Sequence, residues 1–222
     1  MVIVAARDEA DRIVATIDGL REAFPCARII VADDASRDGT SDLALASGAE
    51  VVSRRRRHGK GASMTAAAAA IAPLAGLADA PVFLLCDGDL GASARELPRL
   101  VAAVESDECD LAIAAFARRV GGGFGIALGL ARWVIERRSG YRPDAAISGQ
   151  RAMRAEVLRT VLPFAPAYGM ETAMTIDAVR AGFTVREIEL ELEHRATDRS
   201  WRGFAHRARQ LADFARVWWT RR

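Results

Sequence analysis

The sequence predicts a single α/β domain with a mainly parallel, twisted sheet and helices on both of its faces. Short β-branched or apolar runs alternate with helix-length segments through the first half of the chain, and this alternation is typical of parallel sheets. The chain has 222 residues, of which 51% are hydrophobic, enough for one sizeable core but cramped for two. No internal repeat and no linker-like segment marks a domain boundary.

The individual elements of the first half follow from two periodicities. Compact runs of apolar and β-branched residues predict strands, and longer segments with apolar residues three or four positions apart predict helices. The predicted strands are residues 2–6, 28–32, 49–52, 81–86 and 110–116. The predicted helices between them are residues 9–24, 40–47, 61–72 and 93–106. Sheets of this kind bind ligands at the carboxyl ends of their strands, so polar motifs are expected there.

The second half of the chain is less regular. Its predicted elements are, in order, a Gly-rich segment at residues 121–129, a helix to about Arg138, a short strand at 147–153, a helix at 171–181, a half-buried strand at 184–193 and a final amphipathic helix at 201–219. These elements complete the one domain rather than forming a second.

Charge and cysteine content narrow the functional classes. The 31 Lys and Arg residues against 29 Asp and Glu leave a net charge of +2, too balanced for nucleic-acid binding through a globally basic surface. Two local clusters, residues 54–57 and 194–222, are rich in arginine; either they meet anionic partners or they are solvated basic faces. Cys26, Cys86 and Cys109 include no close-spaced pair, which argues against a disulfide framework or a zinc site and predicts a reducing compartment.

The apolar runs of the chain also bear on its location. The first residues become charged after position six, unlike a secretory signal, and no uninterrupted apolar stretch reaches the length of a membrane span. The Ala-rich segment at 66–80 comes nearest, but Pro73, Gly76 and Asp79 interrupt it. These features predict a cytoplasmic protein.

The most informative motif is Asp87-Gly88-Asp89, at the end of the predicted strand 81–86. Two carboxylates so placed can hold a divalent ion that also binds diphosphate oxygens, and the glycine lets a ligand approach the backbone. The same three residues are also common in turns. The motif alone therefore leaves a metal site and a plain turn open.

A second acidic motif, Asp33-Asp34-Ala35-Ser36-Arg37-Asp38-Gly39-Thr40, follows the predicted strand 28–32. One carboxylate there can accept hydrogen bonds from a nucleobase or ribose. Ser36, Asp38 or Thr40 can equally cap the next helix. The two roles are compatible within one segment.

Together with two further motifs, these residues resemble glycosyltransferase family 2, whose members have the GT-A fold, a Rossmann-like sheet with flanking helices. The family pattern has Asn-Glu after the opening strand, Asp-Asp-x-Ser-x-Asp-Gly-Thr after the second, a Gly-Lys-Gly helix start and an Asp-x-Asp. The matching residues here are Asp8-Glu9, residues 33–40, Gly59-Lys60-Gly61 and Asp87-Gly88-Asp89. The likeness covers essentially the whole chain and is firmest up to Leu90.

The resemblance implies that residues 1–115 bind a nucleotide-diphosphate sugar. The implied donor-binding residues are Ala5 and Glu9 beside the base and ribose, Asp34 at the base with Asp33 in the same site, Lys60 at the diphosphate and Asp87 near the ribose and metal. Asp89 would ligate the metal directly, and the implied cofactor is Mg2+ or Mn2+. A divalent cation and a positioned lysine would stabilise the charge that develops on the leaving nucleoside diphosphate.

Residues 116–222 would bind the acceptor. The stretch Ser148-Gly149-Gln150-Arg151-Ala152-Met153-Arg154 resembles the Ser-Gly-x-Arg-x-x-Arg of members that act on polyprenyl phosphates or similar phosphorylated acceptors. This likeness implies that the acceptor is contacted by Ser148, Gly149, Arg151 and Arg154. His194 resembles a histidine that some relatives, including glucosyl-3-phosphoglycerate synthases, use as a further metal ligand; a structural or exposed histidine is the alternative.

The catalytic base is the point at which the sequence departs from the family pattern. Many inverting members have Glu-Asp, with the Asp as base, where this chain has Glu171-Thr172. A sugar hydroxyl must lose a proton as it attacks, whereas a phosphate or carboxylate acceptor is already ionised at neutral pH. The departure favours an anionic acceptor, and Glu171 either serves as a base or orients the acceptor or a neighbouring arginine.

The C-terminal segment combines aromatic and basic residues and ends in Trp218, Trp219 and two arginines. Such residues suit a bilayer interface, and they equally suit packing on the protein's own surface. A second apolar stretch at 124–138, flanked by arginines, favours peripheral contact with the inner face of the plasma membrane. Whether the chain forms a homodimer is left open.

The motifs and the resemblance together predict that the protein is a metal-dependent glycosyltransferase. It would move a hexose from a UDP-sugar or similar donor to a polyprenyl phosphate and would have no nucleic-acid partner. The nearest alternative is a soluble phosphorylated acceptor such as 3-phosphoglycerate. A nucleotidyltransferase would usually have a Gly-rich basic loop after the first strand, where this chain has the acidic Asp8-Glu9. A non-catalytic sugar-nucleotide-binding protein is a further alternative, separated from an enzyme only by turnover.

Overall fold

A seven-stranded sheet forms the centre of the computed structural model, which describes residues 1–71, 82–116, 125–192 and 213–221. The strands are β1 (Val2–Ala6), β2 (Ile29–Asp33), β3 (Glu50–Ser53), β4 (Val82–Asp87), β5 (Leu111–Phe116), β6 (Arg151–Arg154) and β7 (Val185–Leu190). Their order across the sheet is β3-β2-β1-β4-β6-β5-β7. Neighbouring strands are parallel except at β6, which is antiparallel to β4 and β5. The predicted, mainly parallel α/β sheet is confirmed.

The direction of β6 decides which of its residues reach the carboxyl edge of the sheet. Leu85, near the end of β4, pairs with Arg151, the first residue of β6. Val82, the first residue of β4, pairs with Arg154, the last residue of β6. The start of β6 therefore lies beside the carboxyl end of β4, and the end of β6 lies at the opposite edge.

Eight described helices flank the sheet. They are α1 (Ile13–Ala23), α2 (Thr40–Ala46), α3 (Lys60–Ile71), α4 (Pro98–Glu105), α5 (Gly125–Ser139), α6 (Ala155–Val161), α7 (Met170–Arg180) and α8 (residues 213–220). Two 3-10 turns, Gly91–Glu96 and Ala167–Gly169, precede α4 and α7. Within the described ranges, no helix is both long enough and apolar enough to cross a bilayer.

Alternate strand residues face two separate layers of helices. Val4 and Leu84 belong to a core cluster covered by α1 and α4, whereas Ile3 and Leu85 belong to one covered by α3, α6 and α7. This division follows from the two-residue period of a strand. A third cluster, which includes the buried Phe214, joins α5, α7 and α8.

The predicted strands of the first half begin and end within one residue of the observed ones. In the second half the predicted strand 147–153 begins only at Arg151, because the preceding residues form a loop held by side-chain hydrogen bonds. The helix predicted at 93–106 begins as a 3-10 turn, and the sequence pattern does not anticipate α6. Most of the predicted C-terminal helix, residues 201–212, lies outside the described residues, and α8 covers its end.

Candidate active site

The polar motifs of the first half meet at the carboxyl edge of the sheet. Asp33 ends β2 and Asp87 ends β4. Ala5 of β1 lies between these two strands, in register with Asp87 on one side and Ala32 on the other. Because the three strands are parallel neighbours, motifs that are distant in sequence lie together at one edge.

Lys60 is held between two carboxylates at this edge. Its Nζ lies 2.5 Å from Oδ1 of Asp87 and 2.8 Å from Oε1 of Glu171. Lys60 begins α3, and Glu171 lies in the first turn of α7. Burial alone would lower the pKa of Lys60, but the charges of Asp87 and Glu171 outweigh it and raise that pKa above its ordinary range. Lys60 therefore supplies a fixed positive charge where β4, α3 and α7 meet.

The loop before β6 closes over this ion pair. Nε2 of Gln150 donates to Oδ2 of Asp87 at 2.8 Å, and the hydroxyl of Ser148 donates to Oε1 of Gln150 at 3.1 Å. A β-carbon at Gly149 would lie 2.5 Å from both Lys60 Nζ and Asp87 Oδ2. With glycine the loop can approach this closely without displacing Lys60 or Asp87. Packing alone therefore favours glycine at position 149, independently of any ligand.

The Asp87-Gly88-Asp89 loop is pinned to its neighbours through its backbone. The amide of Gly88 donates to the carbonyl of Ala5 at 2.8 Å, and the carbonyl of Gly88 accepts from the Thr16 hydroxyl at 2.8 Å. A β-carbon at Gly88 would lie 3.2 Å from the carbonyl oxygen of Ala5. The loop is therefore a tightly packed turn, and this packing fixes the backbone from which Asp87 and Asp89 extend.

The donor set of this loop fits a divalent cation, since carboxylate oxygens are hard ligands and both Asp87 and Asp89 are half-buried rather than enclosed. Both oxygens of Asp87 are engaged, by Lys60 and Gln150, so a direct bond from Asp87 to a cation would compete with these partners. Among the described residues, no group of three or more His, Cys, Asp and Glu side chains is arranged for a metal. His194, the expected third ligand, lies outside them.

Asp33 and Asp34 accept hydrogen bonds from residues of the segment between β3 and α3 and from the end of β3. Asp34, only 4% exposed, accepts from the backbone amides of His58 at 2.8 Å and Gly59 at 2.9 Å. These bonds fix the turn that leads directly into Lys60. Asp33, 1% exposed, accepts from the Ser53 hydroxyl at 2.8 Å. In this arrangement both carboxylates accept hydrogen bonds from the protein itself, and Asp34 is almost fully buried.

The segment after β1 is tied to the segment after β2. The Glu9 amide donates to the Thr40 hydroxyl at 2.9 Å, and the Asp8 carboxylate accepts from the Arg37 amide at 3.0 Å. The carboxylate of Asp38 accepts from the Thr40 amide at 3.1 Å, as a residue before a helix often does. Glu9 thus lies beside the 33–40 motif, and its contact with a donor stays a prediction.

The structure separates the two arginines expected to bind the acceptor. Arg151 is fully buried, and its guanidinium donates to the carbonyl of Ser148 and the hydroxyl of Thr175, both at 2.9 Å. Arg154 lies at the opposite edge of the sheet, because β6 is antiparallel to β4. There it forms ion pairs with Asp107 and Asp110. The structure brings Ser148, Gly149 and Arg151 to the site and leaves Arg154 elsewhere.

Comparison with known proteins shows the family of this chain. Residues 1–162 match the model of the family described as "Glycosyl transferase family 2". The chain belongs to glycosyltransferase family 2. It is therefore a glycosyltransferase, and the cluster at the carboxyl edge of its sheet is the candidate active site of that enzyme.

Similar proteins include one enzyme named for undecaprenyl phosphate and one named for 3-phosphoglycerate. An undecaprenyl-phosphate mannosyltransferase from Micrococcus luteus is 29% identical over 212 residues, covering 88% of this chain and 84% of the relative. The structure of glucosyl-3-phosphoglycerate synthase from Mycobacterium tuberculosis with Mn2+, UDP and glucosyl-3-phosphoglycerate has a TM-score of 0.76 at 27% identity, covering 97% of this chain and 78% of that one. The structure of the same synthase with Mg2+ and UDP has a TM-score of 0.74 at 26% identity, again covering 97% of this chain and 78% of that one. These likenesses confirm the GT-A fold.

This family 2 glycosyltransferase differs from the common pattern at the first turn of α7. Thr172, which stands where many members have an Asp, is fully buried, and its hydroxyl has no hydrogen-bond partner among the described residues. Glu171 is 7% exposed and paired with Lys60. This turn therefore presents no exposed, unpaired carboxylate that could act as a base.

Sequence reasoning missed two residues of the site. Gln150 occupies the variable position of the Ser-Gly-x-Arg motif and yet contacts Asp87 directly. Thr175 receives a hydrogen bond from Arg151 and donates one to the Glu171 carbonyl at 3.0 Å. For Thr175 the available signal was its spacing of four from Glu171, which places both on one helix face.

Proposed function

We propose that this enzyme transfers a hexose from a nucleotide-diphosphate sugar, in the first place a UDP-sugar, to a polyprenyl phosphate with the help of Mg2+ or Mn2+. The observation that carries the proposal is the position of Lys60, a fixed cation between the ends of β4, α3 and α7. A positive charge there can stabilise the leaving diphosphate as the sugar bond breaks. The solved relatives bind UDP with Mn2+ or Mg2+, which supports this donor and cofactor.

Asp89 is the residue we assign to the metal, with Asp87 beside it and His194 as the third candidate. When bound, the cation would neutralise charge on the diphosphate oxygens. The protein's own contribution is to keep the backbone of the Asp87-Gly88-Asp89 loop fixed against β1 and α1. Residues 1–115 would thus carry the donor, and residues 116–222 the acceptor.

An ionised acceptor is supported by the state of Glu171. Its carboxylate is paired with Lys60 at 2.8 Å, and Thr172 cannot act as a carboxylate base. A phosphate acceptor is already deprotonated at neutral pH and needs no base to attack the sugar. We therefore assign Glu171 to holding Lys60 rather than to taking a proton.

The lipid acceptor is favoured over a soluble one by the curated relative, which is named for undecaprenyl phosphate, and by an aromatic surface on α5 and α8. Trp133 and Trp219 are 47% and 62% exposed. Trp218 instead packs on the protein, stacked on Trp133 with ring centroids 4.6 Å apart and covered by Arg138. Exposed indoles next to arginine suit the lipid interface at the inner face of the plasma membrane. The second candidate is a phosphoglycerate acceptor, favoured by the solved neighbours.

The donor site can be tested by calorimetric titration of UDP, GDP and ADP with and without Mn2+. We expect one diphosphate, UDP, to bind in a Mn2+-dependent way, and Asp89→Ala to weaken that binding by about 100-fold or more, because a direct ligand to the cation is lost. Asp18→Ala, which removes an exposed carboxylate of α1, is the matched control and should bind UDP normally. Equal binding by the Asp89 and Asp18 variants would remove Asp89 from the metal site, and no binding of any diphosphate would contradict the proposed donor class.

The acceptor can be tested with vesicles that contain polyprenyl phosphate and anionic lipid. Replacing both Trp133 and Trp219 by Ser should weaken vesicle binding roughly tenfold or more, since burying one large apolar side chain is worth about 1.5–3 kcal/mol. Leu45→Ser, at another exposed apolar residue (54%) on α2, controls for general surface polarity. Transfer to 3-phosphoglycerate with no transfer to the lipid would replace our first acceptor by the second.

A further inference from the structure

Arg151 is the largest fully buried side chain of the described residues. Burial lowers the pKa of its guanidinium to about 10, although the charge of Glu171 acts in the opposite direction. The group therefore stays protonated at neutral pH. Burying a permanent cation is costly unless its charge is used, and Nη2 of Arg151 has no hydrogen-bond partner among the described residues.

The two bonds that Arg151 does make lead to opposite sides of the candidate active site. Nε donates to the carbonyl of Ser148, which begins the loop that closes over Lys60 and Asp87. Nη1 donates to the hydroxyl of Thr175, and that hydroxyl donates to the carbonyl of Glu171. One side chain thus connects the loop that engages Asp87 with the helix turn that presents Glu171.

Charges alternate along the same path. Arg151 is followed by Glu171, then Lys60, then Asp87, and the last two contacts are ion pairs of 2.8 and 2.5 Å. A diphosphate bound at Lys60 would share its positive charge, and Glu171 would then lose part of its compensation. A buried cation behind Glu171 offsets that loss, because interactions between charges are stronger where water is excluded.

We propose that Arg151 is a positioning residue for glycosyl transfer, which fixes Gln150 and Glu171 on either side of Lys60 and balances the charge of Glu171 while Lys60 binds the diphosphate. This proposal rests on the proposed donor site. It differs from the role that the Ser-Gly-x-Arg motif implies, because a side chain with no exposed surface cannot meet an acceptor unless the 148–150 loop opens. Arg151 acts through Glu171 and the loop.

The test compares Arg151→Gln with Arg151→Lys, which restores the charge but not both hydrogen bonds. We expect Arg151→Gln to lower kcat about 100-fold, since a displacement near 1 Å of positioned groups has effects of that order. The KM for the donor should change less than kcat, by only a few fold, because Lys60, Asp87 and Asp89 all remain in the variant. Arg151→Lys should recover part of the lost kcat. Arg186→Gln, at an exposed arginine of β7 paired with Glu108, is the control and should retain wild-type kinetics.

Several outcomes would overturn the proposal. Unchanged kcat per folded molecule in Arg151→Gln would do so, as would equal losses of kcat and donor affinity with no recovery in Arg151→Lys. If Arg151→Gln does not fold, Thr175→Val is the variant to test, because it keeps the charge of Arg151 and removes only the hydrogen bonds through the Thr175 hydroxyl. A wild-type kcat in that folded variant would refute the link from Arg151 to Glu171.

A crystal structure of the most severe folded variant separates this proposal from the proposed function. We expect the distance from Lys60 Nζ to Glu171 Oε1, 2.8 Å in the wild type, to lengthen, and Gln150 to leave Asp87. An unmoved cluster would refute positioning by Arg151. If the wild-type enzyme turned over no UDP-sugar, the proposed function would fail, while this structural comparison would still decide the role of Arg151.

Discussion

Lys60→Met should lower the rate of glycosyl transfer by about 100- to 1000-fold, the usual cost of removing one preorganised group that stabilises developing charge. The lysine lies between Asp87 and Glu171, so its loss also leaves two neighbouring carboxylates facing the site of an anionic diphosphate. UDP binding should therefore weaken as well. The measurement is single-turnover transfer from the donor identified by calorimetry, together with the Kd for UDP.

The matched control for Lys60→Met is Arg99→Met, which removes one positive charge from an exposed position on α4. It should leave both the rate and the affinity near wild type, because an exposed charge outside the Lys60 cluster is screened by solvent. A transfer rate for Lys60→Met within about twofold of wild type would contradict the central role of Lys60. Circular dichroism of both variants verifies that each is folded.

Among the glycines of the described residues, Gly61 should be the most costly to replace by alanine. A β-carbon at Gly61 would lie 1.9 Å from the carbonyl oxygen of Ala165, so the backbone of α3 or of the 165–166 segment must move. Overpacking of this kind costs about 3 kcal/mol or more when backbone must shift. For a chain of this length that corresponds to a fall in Tm of roughly 6 °C or more, measured by thermal unfolding.

Gly129→Ala isolates the steric part of that effect. Gly129 also lies within a helix, α5, but a β-carbon there would meet no atom of the described residues within 4 Å. Alanine favours a helix by about 1 kcal/mol over glycine at both positions, so Gly129→Ala should be neutral or stabilising. If both variants unfolded at the same temperature, the close approach of α3 to the 165–166 segment would not be a feature of the protein in solution.

The sequence was sufficient for the elements and motifs that depend on local pattern. The strands of the first half follow from short apolar runs, and the Asp33–Asp34, Lys60 and Asp87–Asp89 motifs follow from their positions at strand ends or a helix start. In repeated β-α units the neighbouring strands are parallel, so residues at their carboxyl ends must meet. Family membership was therefore readable from four short motifs in a fixed order.

The second half depended on contacts that no local pattern specifies. Arg151 and Arg154 look equivalent in the Ser-Gly-x-Arg-x-x-Arg motif, yet one lies under the active site and the other at the far edge of the sheet. The antiparallel direction of β6 decides this difference. That direction is set by how β6 pairs with β4 and β5, which are distant in sequence.

The sequence by itself determined the fold class, the family and the identity of the charged residues at the strand ends, because these follow from periodicity and local motifs. Only the tertiary structure decided that Lys60 pairs with both Asp87 and Glu171, that Gln150 and Thr175 belong to the site, and that Arg151 is internal. The physical reason is that these contacts arise only when the packing of α3, α7 and β6 on the sheet brings side chains that are distant in sequence within a few ångströms. A buried charge is costly unless it is paired, so the stability of each charged residue also depends on that packing.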